Sequence, residues 1–211
     1  MSEFLSPLQH DALCEIFNIS VGQSAAAMSG LVGEEVSLSV PTMRFCALSA
    51  LNSRAGVDQW RRVDVVRQHF RGSFEGEALL MFPNDDGVEL ARMLVAGVGD
   101  TKIAFEALSG DAMAEIGNII LNACLSALAD LMGEEFEYEL PMLSSGSVME
   151  VLLQRTGDLE HPVLFLQIQF LLESHRLEGF MAFVMDVVSL DALRMGVDRF
   201  LGHLGAPNSE P

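Results

Sequence analysis

The chain reads as an α+β protein: a pseudo-twofold duplicated unit whose helices are packed on a shared, largely antiparallel sheet. Three observations give that reading. First, Asp11-Ala12-Leu13-Cys14-Glu15-Ile16-Phe17-Asn18 returns as Asp111-Ala112-Met113-Ala114-Glu115-Ile116-Gly117-Asn118. Gly33-Glu34-Glu35 before Pro41 likewise returns as Gly133-Glu134-Glu135 before Pro141, so one constant offset of 100 carries the whole stretch from Asp11 to Pro41 onto its copy. A repeat without slippage marks a duplicated structural unit. Second, each copy holds two strand-like runs closely joined as hairpins, 63–71 with 73–82 and 163–172 with 177–185. Third, these hairpins do not alternate with crossover helices, which argues for an antiparallel sheet with helices set against it.

Taken in order, Ser6-Pro7-Leu8-Gln9 combines an N-cap serine, proline at the first helical position and glutamine three residues after the cap. A helix is expected from about Pro7 to Ser29, with Gly30 and Gly33 available to end it. Val36, Leu38 and Val40 alternate with Ser37 and Ser39 as a strand interrupted by Pro41, which removes a ladder donor and implies an edge or a bend. Asn52-Ser53-Arg54-Ala55-Gly56 reads as a loop. After the first hairpin, Pro83-Asn84-Asp85-Asp86 opens a helix that closes near Gly97-Val98-Gly99, a linker between the halves.

The second copy repeats the order. Its motif helix ends before Gly133, with Ser109-Gly110 a potential kink, and Phe136, Tyr138 and Leu140 alternate as a strand up to Pro141. Asp186 leads into a last helix ending near Gly202. The chain is thus expected to be one domain over 1–211, made of repeated halves at about 6–99 and 100–203, with 204–211 a flexible tail.

A formal net charge of −18 makes nucleic acid an improbable partner class, because phosphate recognition needs basic patches, and suits a mixed or basic protein partner. No uncharged apolar run is long enough for a membrane span and no basic segment precedes an apolar one at the start, which places the protein in the cytoplasm. Cys14, Cys46 and Cys124 lack metal spacing, and the five histidines form no HxxxH or HExxH pattern, so neither a zinc site nor a catalytic thiol is expected.

At about 100° per residue, Asp111, Glu115 and Asn118 share one stripe of a helix that is otherwise apolar or small nearly all round, and Asp11, Glu15 and Asn18 do the same in the first copy. Such a helix is buried on most sides, and uncompensated carboxylates stay out of the interior. The stripe is therefore expected to be the exposed strip of an embedded helix. Asn122 falls on it where the first copy has Gly22. Glutamate and asparagine are weak nucleophiles and no serine or cysteine has a partnered histidine, so the stripe is incomplete as a free-standing hydrolytic site.

The pattern Asp/Ser-x3-Glu-x2-Asn-x22-Pro, present as Asp11/Glu15/Asn18/Pro41 and Asp111/Glu115/Asn118/Pro141, resembles the CheC/CheX/FliY phosphatases of bacterial chemotaxis. Two complete copies resemble the CheC type. The resemblance implies a phosphatase that dephosphorylates an aspartyl-phosphorylated CheY-type response regulator. Asn18 and Asn118 would orient the attacking water and Glu15 and Glu115 would hold the receiver's lysine. Asp11 and Asp111, at the motif's Asp/Ser position, would dock on the partner or cap rather than react; Asn122, which is outside the motif but on the same stripe, would contact the partner or be solvated. The protein would need no cofactor of its own, since the receiver brings Mg²⁺. The alternative is a non-catalytic receiver-binding or scaffold module of the flagellar-switch type, with a CheD-type deamidase as a further partner.

Overall fold

In the computed structural model the described residues are 4–33, 35–51, 62–72, 75–95, 102–172 and 176–205. The loop read at 52–56, the linker at 97–99 and most of the tail lie outside them. The elements are α1 (Pro7–Val32), β1 (Val36–Ala47), a 3-10 turn (Leu48–Ala50), β2 (Arg62–Arg71), β3 (Glu75–Pro83), α2 (Asn84–Val95), α3 (Lys102–Met132), β4 (Glu137–Tyr138), β5 (Met142–Ser147), α4 (Val148–Thr156), β6 (Pro162–Leu172), β7 (Arg176–Met185) and α5 (Val187–Gly205). The mixed helix and antiparallel-sheet architecture is the one the repeat and hairpins imply.

The sheet runs β1-β6-β7-β3-β2-β4, with β5 following β4 along the free side of β2. Every pairing is antiparallel, and at the centre Ala78 of β3 faces Phe183 of β7. Each hairpin is flanked by a strand from the other copy: β1 lies on β6, while β4 and β5 lie on β2. The copies have thus exchanged their first strands, and neither copy's share of the sheet is complete alone.

Both faces of the sheet are covered. One carries α1, α2, α3 and α5 over Val66, Phe70, Leu80, Phe82, Leu166, Phe170 and Phe183. The other carries the 3-10 turn and α4 over Val63, Val65, Leu79, Met81, Phe165 and Phe180. Strand β3 is consequently buried from Gly76 to Pro83 without alternation, because it meets a helical layer on one side and α4's core on the other.

Both prolines mark departures from regular pairing, in different ways. Strand β1 passes through Pro41, and its ladder with β6 shifts register between Ser39 and Thr42, the accommodation open to a residue without an N–H on an edge strand. In the second copy the strand does break. β4 ends after two residues, the Glu139 amide donates to His69 O at 3.0 Å, and pairing resumes at Met142 beyond Pro141. The expected alternation fails with it. Phe136 is buried against Phe70, whereas Leu140 is 87% exposed.

Helix α4 was not foreseen, although its signals are in the chain. Ser147 Oγ accepts from the Glu150 amide at 3.2 Å, Glu150 Oε2 accepts from the Ser147 amide at 2.9 Å, and Gly157 closes the helix at φ 63°. Helix α3 runs unbroken through Ser109-Gly110, and α5 extends to Gly205. By length and composition Leu108–Met132 could cross a bilayer, a test that the core helix of a soluble protein also passes. Asp111, Glu115 and Asp130 interrupt it, and half of its most apolar window is buried inside the fold.

Asp186 fixes the start of α5: its Oδ1 accepts from the Ser189 amide at 2.7 Å. Hydrogen bonds from Ser189 hold its carboxyl below the usual value. A depressed native pKa stabilises the fold above the unfolded-state pKa, and that contribution disappears as pH falls through the native one. Asp186→Ala should therefore cost about 1 kcal/mol at neutral pH, lowering Tm by about 2–4 °C. Thermal melts down a pH series should show that deficit shrinking in acid; a deficit unchanged by pH would refute the cap.

Candidate functional site

Helix α1 begins with the expected capping box: Ser6 Oγ accepts from the Gln9 amide at 3.3 Å and Gln9 Oε1 from the Ser6 amide at 2.7 Å. Gln9 also donates through Nε2 to Asp198 of α5 at 2.6 Å, tying the start of the helix to the body of the protein. Leu13, Phe17 and Val21 are fully buried, with the Phe17 ring stacked on Phe183 at 5.2 Å. Ser20 and Ser24 are buried too, donating to the carbonyls of Phe17 and Ser20. Ser20 also reaches Cys124 Sγ of α3 at 3.7 Å. Small side chains thus let the two motif helices lie against each other.

With that face buried, spacing dictates where the rest goes. Asp11, Glu15 and Asn18 are all exposed. Among the described residues none hydrogen-bonds to the side chain of Glu15 or Asn18. Among the same residues the ion-pair partner of Asp11 is its neighbour His10, at 3.7 Å. The exposed face is wider than a single strip, since Leu8, Ile19, Gln23, Ala26 and Ala27 also reach solvent. A helix packed on one side against the sheet, α3 and α5 leaves more surface open than its apolar composition suggests.

In the second copy Asp111 and Glu115 are exposed, while Asn118 and Asn122 are half-buried. Asn118 Oδ1 accepts from Asn122 Nδ2 at 2.8 Å, and Asn122 Oδ1 accepts from Gln68 Nε2 at 2.9 Å. Gln68, on β2 and 2% exposed, donates the same nitrogen to the Glu139 carbonyl at 3.2 Å. This contact depends on Gly117: a Cβ there would stand 2.2 Å from Val66 Cγ1, so the helix touches the strand backbone to side chain. Phe17 holds the same place in the first copy. Both Gln68 and Gly117 were missed by sequence reasoning. The one signal was a polar residue on the inward face of β2 between Val66 and Phe70.

The thiols are not poised for chemistry. Cys14 is half-buried, 3.6 Å from His10 Nδ1; His10 Nε2 lies 3.0 Å from the Met43 carbonyl and must donate to it, so with the ring neutral the thiol donates to Nδ1. Burial, and secondarily Asp11, raise the Cys14 pKa, and burial pushes Cys124 up to about 12. Among the described residues no three His, Cys, Asp or Glu side chains gather as a metal site.

Residues 65–161 match the family described as chemotaxis phosphatase CheX. The chain is 29% identical over 143 residues to the CheY-P phosphatase CheC of Bacillus subtilis strain 168, a match covering 64% of this chain and 66% of that protein. Over that stretch the chain is similar to the CheC/CheX/FliY phosphatases. A second relative, the flagellar motor switch phosphatase FliY of the same organism, is 29% identical over 129 residues, 61% of this chain and 30% of that longer protein. Both alignments span less than two thirds of the relative's length. The fold is also that of Thermotoga maritima FliY, with a TM-score of 0.73 at 18% identity, covering 93% of this chain and 98% of that one. The duplicated Glu and Asn that carry the resemblance in sequence stand on two helices of one face.

Proposed function

We propose that the protein hydrolyses the aspartyl phosphate of a CheY-type response regulator, with the receiver contributing Mg²⁺ and a lysine and this chain contributing Glu and Asn side chains. The observation that carries the reading is the double presentation: Glu15 with Asn18 and Glu115 with Asn118, each pair reaching the surface from a helix whose other side is fixed in the core. The name of the Bacillus subtilis relative, CheY-P phosphatase CheC, supports the choice of substrate.

In this reading the carboxylates of Glu15 and Glu115 hold the receiver's lysine and set the register of docking. A side-chain amide carries both a donor and an acceptor, so Asn18 or Asn118 can hold a water in line with phosphorus, and positioning of this kind supplies much of the catalysis in phosphoryl transfer. The water oxygen bonds to phosphorus as the bond to the receiver's aspartyl oxygen breaks. Inorganic phosphate and a free aspartate carboxylate are the products, and the water's proton passes to phosphate or solvent. No covalent intermediate forms on this chain. Asp11 and Asp111 border the docking surface, and the reaction takes place in the cytoplasm.

The test is phosphate release from a phosphorylated CheY-type receiver with Mg²⁺, measured beside binding. Catalytic amounts of the protein should accelerate release. Tight binding with no acceleration would instead identify a receiver-binding or scaffold module.

A further inference from the structure

The two sites are not equivalent, and the difference lies behind Asn118. A carbonyl oxygen only accepts, so the Glu139 carbonyl fixes which end of the Gln68 amide faces it, and Gln68 Nε2 donates to both Glu139 O and Asn122 Oδ1. Asn122 then has only its Nδ2 to offer Asn118, whose Oδ1 receives it at 2.8 Å. One backbone carbonyl thereby sets the polarity of three amides in series. Asn118 is left with its Nδ2 and one lone pair directed away from the relay.

The first copy has none of this. Gly22 stands where Asn122 would, with open space around its Cα. The helix-facing side of β6, the counterpart of β2, carries only Leu164, Leu166, Ile168 and Phe170. Stability does not explain Gln68. Its Oε1 is buried without a partner, which is unfavourable, and leucine in its place would complete the apolar face as it does on β6.

We propose that Asn122 and Gln68 are positioning residues that preset the Asn118 amide, making the second copy the faster site. The inference rests on the phosphatase reading. Asn18 must lose its rotational freedom when the receiver docks, whereas Asn118 has already lost it, and preorganisation of that kind appears in the rate rather than in the docking surface.

The experiment silences the first site with Asn18→Ala and measures receiver dephosphorylation at several receiver concentrations. In that background Asn122→Ala and Gln68→Leu should each lower kcat about fivefold with KM unchanged, while Gln68→Leu melts no lower than its parent. Activity falling as stability holds or rises is a result a merely structural residue cannot give. An unchanged kcat, a loss expressed in KM, or a kcat that falls only in step with Tm would overturn the assignment. So would an Asn118→Ala protein that retains as much rate as Asn18→Ala. The phosphatase reading fails separately and visibly, if the Asn18→Ala, Asn118→Ala double variant keeps the parent rate.

Discussion

The Asn18→Ala, Asn118→Ala double variant should lose at least about a hundredfold in receiver dephosphorylation, roughly 2.7 kcal/mol of barrier, and return phosphate release to near the receiver's own rate. The size follows from what the amide contributes. Without a group to hold the water in line, the reaction reverts to a chance encounter of solvent with the phosphoryl group, and orientation is among the largest contributions a binding partner makes to such a step. The structure makes the experiment clean. Asn18 is exposed and makes no hydrogen bond to a described residue, whereas Asn118→Ala removes the acceptor of Asn122 Nδ2 at a cost of about 1 kcal/mol, offset in part by alanine's better helix propensity, so the fold should survive both changes. If the two sites work independently, the wild-type rate is the sum of what the two single variants retain. A double variant that keeps its activity would remove the amides from the mechanism.

Much of this was legible in the chain because duplication tests itself. A lone Asp-x3-Glu-x2-Asn on a helix is an ordinary surface pattern; its return at a fixed offset, on a second helix with the same apolar surroundings, is not. Capping chemistry was equally readable at Ser6 and Gln9, where local residues decide the structure. What stayed hidden depends on contacts between distant segments. The exchange of β1 and β5 between hairpins leaves no local trace, because strand pairing is not written in either strand alone. The break after Tyr138 also reversed expectation, since alternation predicts Leu140 inward and the chain has left the ladder by then. Gln68 lies 54 residues from Asn122, so nothing near either one announces the relay. Helix α4 is different: Ser147-x-x-Glu150 and Gly157 signalled it, and its apolar Val148, Met149, Val151 and Leu152 resemble a strand run closely enough to obscure them.

Gly117 is where packing and chemistry meet, and Gly117→Ala should damage both. A Cβ at this position would lie 2.2 Å from Val66 Cγ1, 2.6 Å from its Cβ and 2.9 Å from Cγ2. Rotating the valine moves its methyl groups and leaves its Cβ in place, so helix α3 must lift from β2. Helix propensity acts the other way, favouring alanine by about 1 kcal/mol, while overpacking a tight core costs about 1–3 kcal/mol or more. Contacts this far below van der Waals distance belong at the upper end, which leaves a net loss of about 2 kcal/mol and a Tm lower by about 4–8 °C. Lifting the helix also draws Asn122 away from Gln68, so second-site kcat should fall beyond what the lost stability explains at temperatures where the variant is folded. Val66→Ala removes the obstructing methyls, and in a double-mutant cycle it should couple to Gly117→Ala by about 1 kcal/mol or more. A Gly117→Ala protein that melts higher than wild type with its activity intact would show that α3 does not need this contact, and the geometry that brings Asn118 to its relay would have to arise from elsewhere in the helix.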